Sequence, residues 1–227
     1  MTEYAFGLPE SITGGQVTLE FTNSGELPHE VAFGSIAGDH DIDDVMKALK
    51  SGAQPKWFKD ITGIPIIDPG LTVSMSHELK PGRYILLCFL PVPGSGQPHV
   101  MKGMVQLFDA EGTSDAEAPE ADLTITATDD DFDVPEIEAG THTIEFVNDG
   151  TKQHEFAIFS PEPGKTVKDI DKWFGSGFKG AKPAVFPGGL QSIKPGTSML
   201  IEMTFESGRT YLLEDFEGKL SSEIEVE

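Results

Sequence analysis

The sequence predicts an all-β protein built from two tandem antiparallel β-sandwich domains of Greek-key type, each with a short helical insertion. Three observations carry this. Apolar residues alternate with polar ones at a period of two through most of the chain. Turn clusters such as "TGG", "NSGE", "DPG" and "KPGR" separate these runs at the spacing of a sandwich. The first half also repeats in the second. "FGLPESITGGQVTLEFTNSGELPHEVAF" from Phe6 matches "FDVPEIEAGTHTIEFVNDGTKQHEFAIF" from Phe132.

In chain order, "VTLEF" places Val17, Leu19 and Phe21 on one face of a strand. A glycine turn follows, and "HEVAF" starts the next strand at His29. "DHDIDDVMKALKSG" breaks the pattern: Asp39 or Asp41 caps a helix whose Ile42, Val45, Met46 and Leu49 form one apolar stripe. In "LTVSMSHEL", Leu71, Val73, Met75, His77 and Leu79 share a face, and the continuous run "YILLCFL" suits a central strand buried on both sides. The second copy repeats this order, with a weaker helix in "KTVKDIDKWFGSG" and "KPGTSMLIEMTFESGRTYLLE" for "DPGLTVSMSHELKPGRYILLC". A repeat this long is a duplicated domain rather than a solenoid. The expected division is a first domain over 1–109, an acidic linker over 110–121 and a second domain over 122–227.

Of 227 residues, 38% are hydrophobic and 15 are Phe, enough for a packed core, and no apolar run is long enough to span a membrane. "MTEYAFGLPE" has neither the basic start nor the apolar stretch of a signal peptide. The net charge of −22 argues against nucleic acid, whose phosphates call for basic patches. The charge is uneven: residues 1–108 carry 12 acidic and 7 basic side chains, residues 109–227 carry 26 and 9. The acidic second half reads as a solvated surface or as a docking face for a basic partner. A single cysteine, Cys88, excludes an intramolecular disulfide and a Cys-rich zinc site.

Four residues of the first copy stand apart: His29, Cys88, His99 and Met104. Cys88, His99 and Met104 lie together in "CFLPVPGSGQPHVMKGM". Alone, Cys88 reads as a small buried hydrophobe and Met104 as core packing, with Met101 as a nearby competitor. Together, two imidazoles, a thiolate and a thioether are the donor set of a mononuclear blue-copper site. Gly103 lets the chain turn just before Met104.

"NSGELPHEVAF" and "YILLCFLPVPGSGQPHVMKGMVQLF" resemble the two ligand-bearing segments of the cupredoxin family, the fold of plastocyanin and azurin. The resemblance covers nearly all of the first copy. It implies a metal site in which His29, Cys88 and His99 are equatorial ligands and Met104 the axial one, holding a single type 1-like copper. The Cys-to-His loop is longer than in small electron carriers and closer to that of copper nitrite reductases. The resemblance also implies an extracytoplasmic location and a redox partner protein.

The second copy lacks this set. A 126-residue offset aligns Cys88 with Glu214, and "LLEDFEGKLSSEIEVE" holds neither His nor Met. His154 nevertheless persists where His29 stands in the first copy. It reads as structural, which leaves His29 open as ligand or loop tie. His77 reads as a partly buried core residue, His40 and His142 as edge or exposed positions, and "DDDFD" as a solvated acidic turn. Leu87 precedes Cys88 where a coupling histidine stands in two-copper enzymes. With six histidines and no His-x-His, hydrolase triad or phosphate loop, no enzyme activity is expected. The expected function is one-electron transfer, with His99 at an apolar surface as the electron port. A copper storage or delivery protein and a metal-free extracytoplasmic interaction module are the alternatives.

Overall fold

The structure, a computed structural model, describes residues 1–226. The first half holds β1 (Ser11–Thr13), β2 (Gly15–Thr22), β3 (His29–Ile36), α1 (Ile42–Ser51), β4 (Phe58–Ile67), β5 (Thr72–Leu79), β6 (Gly82–Leu87) and β7 (Val105–Glu111). The second holds β8 (Leu123–Ala127), β9 (Phe132–Asp133), β10 (Gly140–Asn148), β11 (His154–Pro161), α2 (Val167–Gly175), β12 (Ala184–Ile193), β13 (Thr197–Phe205), β14 (Thr210–Asp215) and β15 (Leu220–Glu225). The all-β class expected from the sequence is the one the chain adopts.

Both sheets run through both halves. One has nine strands in the order β1-β7-β6-β3-β4-β12-β11-β14-β15, the other six in the order β2-β5-β13-β10-β8-β9. The halves meet at β4 against β12, where Ile67 faces Pro187, and at β5 against β13, where Met75 faces Ile201. Side chains reinforce the seam. Asp68 accepts from the Phe186 N–H and pairs with Lys182, and the Thr62 hydroxyl donates to the Gln191 carbonyl. The pairing is antiparallel except for β1 with β7 and β8 with β10, which run parallel. The stretch between β7 and β8 starts against the first half, where the Ser114 N–H donates to the Gly14 carbonyl.

Alternation decides which residues face inward. Leu19 and Phe21 of β2, and Val73, Met75 and Leu79 of β5, are buried in one apolar core that extends through both halves. β6 lies between β7 and β3, and its Tyr84, Ile85, Leu86 and Leu87 are all buried, as its continuous apolar run requires. Asp41 caps α1 by accepting from the Asp44 N–H, and left-handed Gly52 ends it. The buried stripe of α1 is narrower than expected: Val45 is buried and Met46 and Leu49 half-buried, but Ile42, in the first turn, faces solvent. In α2, the Asp169 carboxylate accepts from both the N–H and the hydroxyl of Thr166.

Asn23 and Asn148, each the last residue of a Phe-x-Asn run, make matching bonds. Asn23 Nδ2 donates to the Leu27 and Ile67 carbonyls, and Asn148 Nδ2 to those of Lys152 and Ile193. Each is fully buried and ties the turn before the His-Glu strand to the strand behind it. This clamp sets where His29 and His154 enter the sheet.

Candidate metal centre

The strand ends bring three of the four candidate ligands together at one end of the first half. His29 opens β3. Cys88 follows β6, and its N–H donates to the Met104 carbonyl, which continues the β6–β7 ladder by one step. The loop folds back on itself. The Val100 N–H donates to the Cys88 carbonyl, the His99 N–H to Leu90 and the Val92 N–H to Gln97. His99 begins a 3-10 turn, His99–Lys102, which ends at Gly103. Gly103 has φ 106°, a conformation that disfavours any residue with a side chain, and it returns the chain to β7 with Met104 fully buried. Met104 and Cys88 belong to the same core cluster. Met101 stays partly buried and packs against the separate cluster beneath α1.

His29 Nδ1 lies 3.1 Å from His99 Nδ1, and Cys88 Sγ lies 3.5 Å from His99 Nδ1 and 4.0 Å from His29 Nδ1. These three atoms form an acute triangle. The point equidistant from them lies inside it, about 2.1 Å from each, within the range of metal–nitrogen and metal–sulfur bonds. The Glu30 N–H donates to Sγ at 3.5 Å, and the Glu30 carboxylate accepts from the Phe89 N–H, so the first residues of β3 hold the thiol strand from two sides.

Burial keeps these three groups in their neutral forms. Burial lowers the His29 pKa to about 4, with His99 pushing the same way and Glu3 opposing. Burial also lowers His99. Burial pushes the Cys88 thiol up to about 12, and the neighbouring Glu30 carboxylate adds to this. At neutral pH the metal-free site therefore holds two neutral imidazoles and a protonated thiol. His29 Nε2 and His99 Nε2 are buried without a hydrogen-bond partner, while the two Nδ1 atoms lie within hydrogen-bond distance of each other and of the sulfur. A soft cation bound to both Nδ1 atoms and the sulfur would give these groups a shared partner.

A covering segment lies over the imidazoles. Glu3 accepts from the Leu27 N–H and reaches to 4.0 Å from His29 Nε2, and the Tyr4 ring packs edge-on against His99. His99 is consequently only 1% exposed, which corrects its expected place as a surface port. The exposed group next to the site is Phe89, 42% accessible and bonded in sequence to Cys88.

The second half shows what replaces the ligands. Ala32 pairs with Leu87 across β3 and β6, and Ala157 with Glu214 across β11 and β14. The residue in the place of Cys88 is therefore Asp215, one position beyond the Glu214 that sequence alignment selects. A slip of one residue reverses the face of a strand. Asp215, fully buried, bonds His154 Nδ1 at 2.6 Å, and Asp129 takes His154 Nε2 at 3.2 Å. Asp129 also accepts from the Thr151 and Lys152 N–H groups, tying its loop down. A Cβ on Gly150 would lie 2.6 Å from both Asp129 Oδ1 and His154 Nε2, so the bridge needs glycine there. The signal sequence reading missed was "DDDFD", whose first residue is Asp129. Glu214 turns away and accepts from the Ser221 hydroxyl. Among the described residues, the only histidine, cysteine and carboxylate group convergent enough for an ion is His29, Cys88 and His99. His77 is half-buried against Phe33, in line with its expected place in the core.

No family model matches the chain, and no curated protein matches it in sequence. Among solved structures it is similar to a multicopper oxidase, at 15% identity over 96% of this chain and 76% of that one, TM-score 0.29. It is similar to a blue copper oxidase from Nitrosomonas europaea, at 14% identity over 96% and 75%, TM-score 0.29. A copper nitrite reductase from the same organism gives 15% identity over 96% and 81%, TM-score 0.27. At these scores the likeness adds nothing to the fold already described. It does correct one expectation. These neighbours are enzymes by description, and the reading of this chain as lacking enzyme activity is withdrawn. Six histidines limit the clusters one chain can build alone, and that count does not limit chemistry at a mononuclear site. No helix among the described residues is long and apolar enough to cross a membrane.

Proposed function

We propose that the chain is a cupredoxin-type copper protein that would hold one ion between His29, Cys88 and His99, with Met104 as a further, thioether ligand, and transfers single electrons. The convergence of two Nδ1 atoms and one sulfur on a point at bonding distance from all three supports this most strongly. Copper bound there would supply one-electron exchange between its two oxidation states. His29 and His99 would hold it through Nδ1 as neutral imidazoles. Cys88 would hold it as thiolate, its proton passing to solvent, with the sulfur accepting from the Glu30 N–H. The Asn23 clamp and the 88–104 loop fix these groups before the ion arrives, so little has to move between oxidation states. Tyr4 and Glu3 shield the site from water, and Phe89 is the contact point for a partner. The net charge of −22 suits a basic redox partner, and we place the protein outside the cytoplasm. The division into a site-bearing unit over 1–109, a linker over 110–121 and a unit without ligands over 122–227 is part of the same reading.

The test is a titration of the metal-free protein with Cu(II), followed by visible absorption. An intense thiolate-to-copper band at one equivalent, lost in Cys88→Ser, is the expected result. No band, with Cys88 still freely reactive toward a thiol reagent, would overturn the proposal. A reversible midpoint potential separates electron transfer from copper storage, which needs no redox cycling.

A further inference from the structure

Where the halves meet, a cavity of about 420 Å³ opens between β4, β11, β12 and α2, within the size range of small-molecule sites. Its wall is aromatic. Phe216 stacks on Phe159 at 6.3 Å and 14°, Phe174 meets Phe216 edge-on at 6.3 Å, and the Phe178 ring lies tilted 5.6 Å from Phe174. Phe216 is 41% exposed at the mouth. Its charge is of one sign: Glu30, Glu155 and Asp171 line it, and no described lining residue is a lysine or arginine.

We propose that this cavity binds a small organic cation, an ammonium group carried on an apolar or aromatic body. Ring faces present negative electrostatic potential to a cation, and carboxylates beside them add to it. An anion would meet three carboxylates, and a neutral apolar ligand would leave them uncompensated beside the aromatic wall. A metal aquo-ion would gain nothing from the phenylalanines. Glu155 supports the choice of occupant. Burial raises its pKa to about 7, and Asp215, Glu217 and Glu30 push the same way, so its charged form lacks a counter-ion that a cationic ligand would supply. The cavity adjoins the metal site through Glu30 and Leu90, while Glu155, Asp171 and the phenylalanines of its wall belong to the second half.

The experiment uses the full-length metal-free protein and three probes of similar shape, 2-phenylethylammonium, 2-phenylethanol and 3-phenylpropanoate, followed by NMR titration at neutral pH. The expected result is saturable binding of the ammonium probe about tenfold or more tighter than the alcohol, with the carboxylate weakest. Glu155→Gln should bring the ammonium probe down to the affinity of the alcohol. Phe216→Leu, at the exposed mouth, should weaken it severalfold with the fold intact by circular dichroism. The proposal is overturned if the alcohol binds as tightly as the ammonium probe. It is equally overturned if Glu155→Gln changes nothing, or if no probe saturates at millimolar concentration.

Discussion

Tyr4 stands edge-on over His99, with ring centroids 5.1 Å apart and planes at 76°. Tyr4 holds a left-handed backbone, φ 62°, which costs a residue with a side chain and is retained here with the ring against the imidazole. Tyr4→Gly suits that backbone and removes only the cover. We expect at least an order-of-magnitude faster reaction of Cys88 with a thiol reagent in the metal-free variant, with near-wild-type thermal stability. An unchanged rate would mean that solvent reaches Cys88 by another route.

Met104 is expected to contribute more to the properties of a bound ion than to folding. Met104→Leu conserves volume in the core and should cost less than about 1.5 kcal/mol. Copper should still bind. Its midpoint potential should rise, because loss of the thioether removes donation to the more highly charged oxidation state. Voltammetry of both proteins checks this.

His154 is bonded at both nitrogens, so its removal should act on stability alone. His154→Leu leaves the buried Asp215 carboxylate without its partner, and we expect a loss of about 3 kcal/mol in denaturant unfolding. The visible spectrum of the copper-loaded variant should match the wild type.

Glu30 and Glu155 both have pKa values raised to about 7, chiefly by burial. Between the ordinary carboxylate range and pH 7 the folded state thus binds more protons than the unfolded chain, so folding stability falls as pH rises through that window. The His29 and His99 imidazoles, whose pKa values are lowered, act in the opposite direction below about pH 6.5, so the carboxylate effect is read as a fall in the melting temperature of the metal-free protein from pH 6.5 to pH 7.5. Glu155→Gln should reduce the difference, on the order of 1 kcal/mol. Asp129 is shifted the other way by its bonds to Thr151 and acts only at lower pH.

Much of the fold was legible because it rests on local chemistry. The alternation in "LTVSMSHEL" does place Val73, Met75 and Leu79 inward, and Gly103 does turn the chain before Met104. His29, Cys88 and His99 were legible by residue type and order, and they converge. What the sequence hid lies in long-range pairing. The seam of Ile67 with Pro187 and Met75 with Ile201 leaves no periodic trace, so the halves read as separate. The place of Asp215 depends on a register that a one-residue offset reverses. The covering of His99 depends on Glu3 and Tyr4, which belong to no repeated motif.

The shared sheets also bear on self-association. Two separate two-sheet sandwiches would expose eight strand edges; joined side by side, this chain exposes four, at β1, β15, β2 and β9. Two of these are stubs of three and two residues, too short to template another chain. A half expressed alone would bare β4 and β5, or β12 and β13, each eight to ten residues long. The second half, though it lacks the soft ligands, thus serves the first as a guard against aggregation.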